Sequence, residues 1–141
     1  MGFFGTGPLE NDDALDFKDE LFGLLKVKYD KQYNIISSKD WISKALTKKQ
    51  NKIYDWLKEY KWEKFGDKAG IKQQLYAQAL AQIMIDYNIN INKRGLKNFK
   101  MFIKNDFWAK EEKSREKSMN KLLKSLKEHE KKFEKKSIYF N

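Results

Sequence analysis

Residues 68–87 read KAGIKQQLYAQALAQIMIDY, and this run determines how the rest of the chain can pack. Apolar side chains cover much of its helical circumference, which is typical of a helix surrounded by other helices. They are Leu75, Tyr76, Ala79, Leu80, Ile83, Met84 and Tyr87. Alanine side chains are small, so neighbouring helices can approach the run closely. The pattern predicts a central, alanine-rich helix over residues 68–87.

The chain before residue 47 predicts two further helices. The first runs from Asp12 or Asp13 to about Val27, with apolar residues at helical spacing and carboxylates in its first turns, where the helix dipole favours them. A polar stretch follows it. Ser37 or Ser38 is then expected to cap a short second helix, because a hydroxyl can accept a hydrogen bond from a free backbone amide at a helix start.

Residues 47–50 read Thr-Lys-Lys-Gln, which is a capping-box pattern. In such a box the hydroxyl and the amide side chain each bond a backbone N–H group of the first helical turn. We therefore expect a third helix to begin at Thr47. Gly66 is expected to end it, and Asp67 to cap the central helix.

The C-terminal part predicts two more helices after a short loop. Asn88–Asn92 alternates like a strand, but five residues without a partner strand favour a loop. A fifth helix is expected over Leu96–Phe107 and a long, strongly charged helix over residues 109–136, followed by an apolar tail at 137–141. The sequence thus predicts an all-α fold, a single compact bundle of about six helices formed by residues 1–141.

Composition excludes several kinds of chemistry. The chain has no cysteine, which rules out disulfides, thiolate nucleophiles and cysteine-based zinc sites. Its single histidine, His129, lies between Glu128 and Glu130 and is expected to face solvent. We therefore expect no metal, no cofactor and no enzymatic activity.

Hydropathy favours a chain without a membrane segment. No apolar run approaches the roughly 18 residues of a spanning helix, and the first residues lack the basic and then apolar regions of a signal peptide. The expected location is cytoplasmic.

Charge is distributed unevenly along the chain. The formal net charge is +10, yet residues 1–25 hold six carboxylates against one lysine, Lys18. Of the 30 basic residues, only Arg94 and Arg115 are arginine. Arginine supplies the planar fork that reads guanine and clamps phosphate, whereas lysine is a hydrated point charge. The surface is therefore expected to attract polyanions without sequence specificity.

One cluster of basic residues is the candidate binding surface. It consists of Lys93, Arg94, Lys97, Lys100 and Lys104. No acid lies among them, and the last three share one helical face, so they form a candidate phosphate-contacting stripe. The final helix instead alternates in sign, which is typical of an exposed helix crossed by salt bridges.

The opening, MGFFGTGPLENDDALDF over residues 1–17, is a glycine-rich loop before a helix. It lacks the Gly-Lys-Ser/Thr of a phosphate-binding loop, and carboxylates stand where a phosphate would bind. Asp12, Asp13 and Asp16 could hold a divalent cation or act in catalysis. The favoured interpretation is structural: Asn11, Asp12 and Asp13 cap the helix and bind backbone amides of the loop around Gly5 and Gly7.

This opening resembles the start of the domain of unknown function 4259 family, a family of small, largely bacterial proteins. Its members open Met-Gly-x-Trp-Gly-x-Gly-x-Phe-x-Asn-Asp-x-Ala-x-Asp-Trp. The residues that fit are Gly2, Gly5, Gly7, Asn11, Asp12, Ala14 and Asp16, while Phe4, Leu9 and Phe17 are apolar replacements. The family's activity is not established, so the resemblance implies no catalytic residues. It implies that the opening is structural, with aromatic side chains turned inward and Asn-Asp-Asp capping the helix.

The function expected from these observations is a non-enzymatic protein-binding module. The chain holds 10 Phe, 7 Tyr and 4 Trp, more large aromatic side chains than one small core requires, and such residues serve as interface anchors. An immunity- or antitoxin-like protein, or a phage-encoded inhibitor, that covers an acidic partner surface is favoured. The alternative is a nucleic-acid-associated protein that uses lysine-rich helical faces.

Overall fold

The computed structural model describes Phe3, residues 5–60 and residues 70–140. These residues form five α-helices and one short 3₁₀ turn, and they contain no β-strand. The helices are α1 (Asp12–Leu24), α2 (Lys39–Leu57), α3 (Ile71–Asp86), α4 (Lys93–Lys104) and α5 (Lys113–Phe140), with the 3₁₀ turn at Lys58–Tyr60 after α2. The all-α prediction is confirmed. The expected roles of Gly66 and Asp67 lie outside the described residues.

Helix α3 is the centre of the bundle, as its sequence predicted. It packs against α1, α2, α4 and α5, and every residue from Gln74 to Ala81 is buried. The helix begins at Ile71 because Gly70 adopts a left-handed conformation with φ of 88°, which glycine reaches without steric cost. Apolar side chains of the other four helices pack around it in one contiguous core.

The predicted number of helices was too high, because α2 is one continuous helix. Ser38 caps it by accepting a hydrogen bond from the Trp41 amide at 3.1 Å. Thr47, the expected start of a new helix, instead lies within α2, and its hydroxyl donates to the Ser43 carbonyl at 2.8 Å. A hydroxyl that donates to a carbonyl of the preceding turn has a hydrogen-bond partner within the helix, so the helix need not begin or end there. The capping-box side chain of Gln50 bonds to the loop before α4 instead.

The loop prediction for Asn88–Asn92 is confirmed, and α4 starts directly after it. Asn92 caps α4 by accepting a hydrogen bond from the Gly95 amide at 2.9 Å. The helix therefore covers Lys93–Lys104, three residues earlier at each end than the predicted Leu96–Phe107.

Helix α5 differs from its prediction at both ends. It begins at Lys113 rather than at residue 109, because the Asp106 carboxylate holds the preceding residues in a turn by accepting the amides of Trp108 and Ala109. It continues through Phe140, so residues 137–140 are helical rather than a separate tail. No glycine or proline follows Lys113 that would stop the helix. Among the described residues, no helix is both long enough and apolar enough to cross a membrane.

Candidate protein-binding surface

The glycine-rich opening is closed by Glu10. The Gly7 amide donates to the Glu10 carboxylate at 3.1 Å, and a Cβ atom at Gly5 or Gly7 would overlap that carboxylate. The sequence predicted that Asn11, Asp12 and Asp13 bind the backbone amides of the loop. For the Gly7 amide this prediction was wrong, because Glu10 binds it. Since Glu10 already accepts the Gly7 amide, that amide is not available to a phosphate.

The start of α1 is capped by Asn11. Its side-chain oxygen accepts a hydrogen bond from the Ala14 amide at 2.7 Å, and Asn11 itself is buried. Asp12 and Asp16 are exposed and Asp13 is half-buried. Within the described part of the chain, no group of three or more Asp, Glu, His or Cys side chains is arranged to hold a metal ion. Asn11 thus caps α1, whereas Asp12 and Asp13, which were predicted to share that role, accept no hydrogen bond from a described residue.

The opening loop is attached to α5 through Arg115, which is fully buried. The guanidinium group donates to both carboxylate oxygens of Asp106 at 3.1 and 2.9 Å, and to the Gln78 side-chain oxygen at 2.6 Å. It also donates to the carbonyls of Thr6 and Gly7 at 3.0 and 3.3 Å. One side chain thus joins the opening loop, α3, α5 and the turn before α5.

Asp106 and Trp108 complete this buried network. Burial by itself raises the pKa of the Asp106 carboxyl, but the hydrogen bonds and charge of Arg115, with bonds from Gln78 and Ala109, hold the pKa below its ordinary value. The Arg115 guanidinium lies 5.4 Å from the Trp108 ring centroid. Because the ion pair is enclosed and its groups are satisfied by one another, the network is structural. Sequence reasoning missed it, although the scarcity of arginine was a usable signal.

Two residues of the predicted basic cluster on α4 are engaged in ion pairs. Arg94 forms an ion pair with Asp55 at 2.5 Å, and its guanidinium lies over the Tyr54 ring. Lys100 forms an ion pair with Glu130 of α5 at 2.8 Å. Only Lys93, Lys97 and Lys104 of the five predicted residues are exposed. The stripe therefore offers fewer unpaired charges than the sequence suggested.

His129 is buried, contrary to the prediction that it faces solvent. Its Nε2 atom is hydrogen-bonded to the Ile89 carbonyl, and its ring meets the Phe133 ring edge-on at 4.9 Å. The reason is its position on the buried seam of α5, one turn after Leu126.

The segment between α1 and α2 forms a small hairpin that sequence reasoning treated as a polar connection. Tyr29 and Ile35 pair as an isolated antiparallel bridge. At the turn, the Asp30 carboxylate accepts the amides of Gln32 and Asn34 at 2.8 and 2.9 Å. Tyr33 sits at the tip with φ of 63°. We call residues 28–37 the hairpin loop.

The base of the hairpin loop is also hydrogen-bonded. The Lys28 amide donates to the Ser37 hydroxyl at 2.8 Å, and the Ile36 amide donates to the Lys28 carbonyl at 2.9 Å. These bonds close the loop directly before Ser38 caps α2. The loop is therefore held by its own backbone and polar side chains.

The hairpin loop and the first turn of α2 expose large apolar side chains. The exposed fractions are 87% for Tyr33, 60% for Ile36, 43% for Trp41, 41% for Ile35 and 39% for Tyr29. We call these five residues of the segment 29–41 the apolar patch; Ile35 also lines a separate groove with Ile42 and Tyr87. Exposed apolar side chains that are concentrated in one region are typical of an interaction site, whereas single ones scattered over a surface are not. The local signal in the sequence was the Tyr-Asn-Ile-Ile run at residues 33–36, which begins in the turn made by Asp30 and Asn34 and continues after it.

A groove of about 730 Å³ lies between the end of α1 and α2. Its apolar lining includes Leu24, Ile53 and Trp56, and Leu24 is 54% exposed. Lys49 and Lys52 also line it. Exposed apolar surface thus extends to both ends of the connection between α1 and α2.

No family model, curated protein sequence or solved structure matches this chain.

Proposed function

We propose that this chain is a non-enzymatic protein-binding module that binds its partner through the apolar patch. The observation that supports the proposal is the exposure of Tyr33, Ile36 and Trp41 on a segment whose backbone is already fixed. Tyrosine and tryptophan anchors are among the residues that contribute most of the binding energy at protein interfaces.

The hydrogen bonds of the hairpin loop favour binding because the loop need not be ordered by its partner. Asp30 fixes the turn, and Lys28 and Ser37 close the base. Side chains presented by a preformed loop lose less conformational entropy on binding than those of a disordered segment. The patch therefore has the properties of a preorganised binding surface.

The charges around the patch favour an acidic partner. Lys28, Lys31 and Lys39 are exposed in the same segment, while the Asp30 carboxylate is engaged inside the loop. Positive charge around an apolar centre steers association with a negatively charged surface. We propose that the chain covers such a surface, as an immunity protein, an antitoxin or a phage-encoded inhibitor does.

The proposed biological setting follows from the sequence. Residues 1–17 resemble the domain of unknown function 4259 family, and we propose membership of that family and a cytoplasmic location. The alternative function, nucleic-acid association through α4, has less support because Arg94 and Lys100 are engaged in ion pairs.

A comparison of matched surface variants tests the proposal. The double variant Tyr33→Asn/Ile36→Thr removes two anchors. Asparagine suits the left-handed backbone at residue 33, and threonine suits the arm of the hairpin at residue 36. Leu15→Gln with Met101→Gln removes two apolar side chains that are exposed elsewhere, on α1 and α4. Each protein is used as bait in a lysate of its native host.

We expect one acidic host protein to be retained in stoichiometric amount by the wild type and the control but lost with the patch variant. Retention of no stoichiometric protein, or equal retention by all three baits, would contradict the proposal.

A further inference from the structure

The exposed side of α5 carries a row of lysines. All lie on the side of the helix opposite the buried Arg115, Leu122 and Leu126, and all are exposed: Lys113, Lys117, Lys121, Lys124, Lys127 and Lys131. We call these six residues the lysine ridge. No hydrogen bond or ion pair connects any of them to another residue that the structure describes.

Most acidic residues of α5 lie at one side of this ridge. Helical periodicity places Glu116, Glu130 and Glu134 on a flank of the helix rather than on its outer face, and Glu130 is paired with Lys100 of α4. Glu128 lies among the ridge lysines, and Glu116 and Glu134 lie about 20° around the helix from Lys127, at one edge of the ridge. The alternation of signs had predicted a helix crossed by salt bridges, yet no ion pair joins two described residues of α5. The prediction was wrong for the described residues, because the acids of α5 form no ion pair with its own lysines.

The spacing of the ridge suits a phosphate backbone. Lys113 and Lys131 are separated by about 27 Å along the helix axis, at about 1.5 Å per residue. The six ammonium groups are thus spaced about 5 Å apart on average along the axis, while each strand of duplex DNA carries a phosphate about every 3.4 Å. A rigid helix can place several of these charges along one backbone at once.

The chemistry of the ridge indicates which nucleic acid it fits. It contains no arginine, which would read base edges bidentately, and no aromatic side chain, on which single-stranded bases would stack. We propose that the lysine ridge of α5 binds the phosphate backbone of duplex nucleic acid without sequence readout. The proposal is independent of the apolar patch, which belongs to the connection between α1 and α2.

Salt-dependent binding to a mixed-sequence 20-base-pair DNA duplex tests the proposal, measured by fluorescence anisotropy between 50 and 200 mM NaCl. Six phosphate contacts predict a slope of log K against log salt of about −5. Lys117→Gln, Lys121→Gln and Lys124→Gln together should weaken binding by about tenfold or more at 50 mM and reduce the slope by about 3. All three residues are exposed, and circular dichroism checks that the variant is folded.

The matched control changes the same charge on another helix. Lys44→Gln, Lys48→Gln and Lys52→Gln remove three exposed lysines of α2 and should leave the affinity within about threefold of wild type, since only diffuse attraction is lost. Equal weakening by both triple variants, or no wild-type binding at 50 mM NaCl, would overturn the proposal.

Competitors distinguish the duplex from other polyanions. Poly-glutamate at equal charge should displace the duplex weakly, and oligo-dT should bind more weakly than the duplex. Displacement by poly-glutamate as effective as by DNA would assign the ridge to an acidic protein, and tighter binding of oligo-dT would assign it to single strands. Either result overturns the proposal. The Tyr33→Asn/Ile36→Thr variant should bind DNA as the wild type does. Failure of one proposal would therefore not imply failure of the other.

Discussion

At the scale of single residues, Arg115 joins its own helix to the opening loop, to α3 and to the turn before α5. Replacing it by Met would leave the buried Asp106 carboxylate without its charge partner, which costs about 3–5 kcal/mol of unfolding free energy. Arg115→Lys should also destabilise, because lysine cannot form the two-pronged contact. Urea unfolding measures both effects.

A half-exposed ion pair provides the comparison for Arg115. Lys100 and Glu130 retain 30% and 26% side-chain exposure, so Lys100→Met should cost about 1 kcal/mol or less. If Arg115→Met were no more costly than Lys100→Met, the network would not be the main attachment of the opening loop.

Asp106 gives the molecule an acid-sensitive component of stability. Its folded-state pKa lies below the ordinary value, because the interactions with Arg115, Gln78 and Ala109 outweigh burial. The resulting stabilisation is complete above the unfolded-state pKa and is lost as pH falls through the folded-state pKa. We expect carboxyl NMR titration to place Asp106 below about 3.9, its ordinary value, and Asp106→Asn to reduce the loss of stability between pH 5 and pH 2. A titration midpoint at or above that value would disprove the assignment.

Two helical glycines should respond oppositely to alanine. A Cβ atom at Gly95 would overlap the Tyr54 hydroxyl and the Ile91 side chain, whereas a Cβ atom at Gly23 meets nothing within 4 Å. Gly95→Ala should therefore destabilise by about 1–3 kcal/mol, as overpacking does. Gly23→Ala should stabilise by about 0.5 kcal/mol, because alanine favours the helix. Thermal unfolding of both variants tests this, and a stabilised Gly95→Ala protein would show that the Tyr54 contact is not tight.

At the scale of elements, sequence periodicity predicted which segments are helical but not every boundary. The wide apolar face of residues 68–87 identified α3, because a helix surrounded by other helices has apolar residues around most of its circumference. The prediction of two separate helices over α2 was wrong because Gln50 does not close a capping box with Thr47. Its side chain instead bonds to the carbonyl of Asn90 and the amide of Asn92, about forty residues along the chain. Such tertiary partners cannot be read from a local capping pattern.

The hairpin loop depends on Asp30. Asp30→Ala removes the acceptor for the amides of Gln32 and Asn34, so these amides should exchange with solvent hydrogen markedly faster. Amides of the buried α3 should be unchanged, since their opening is governed by larger cooperative units. Asp40→Ala, at an exposed site on α2, serves as the control. Unchanged exchange at Gln32 and Asn34 would show that the loop is not held by this carboxylate.

At the scale of the whole molecule, composition predicted a basic surface but not which charges are available. The five residues proposed on α4 include Arg94 and Lys100, which are paired with α2 and α5. The pairing depends on the packing of three helices, so no local pattern reveals it. The ridge on α5 was overlooked for the opposite reason: its acids are near the lysines in sequence, yet they form no ion pair with them among the described residues.

The ridge lysines, which form no ion pair with a described residue, should lower the stability of the folded chain at low salt. With a net charge of +10, the ridge lysines repel one another, and salt screens this repulsion within about 10 Å at 0.1 M. Raising NaCl from 10 to 300 mM should therefore increase the melting temperature of the wild type. The Lys117→Gln/Lys121→Gln/Lys124→Gln variant should melt higher than the wild type at 10 mM and respond less to salt.

The α2 triple variant separates this effect from the loss of net charge alone. It removes Lys44, which forms an ion pair with Asp40 at 3.1 Å, so its gain at 10 mM NaCl should be smaller than that of the ridge variant. A ridge variant that melts below the wild type at low salt would mean that these lysines stabilise the fold through ion pairs. The ridge would then be a structural surface, and its charges would not be available to a polyanion.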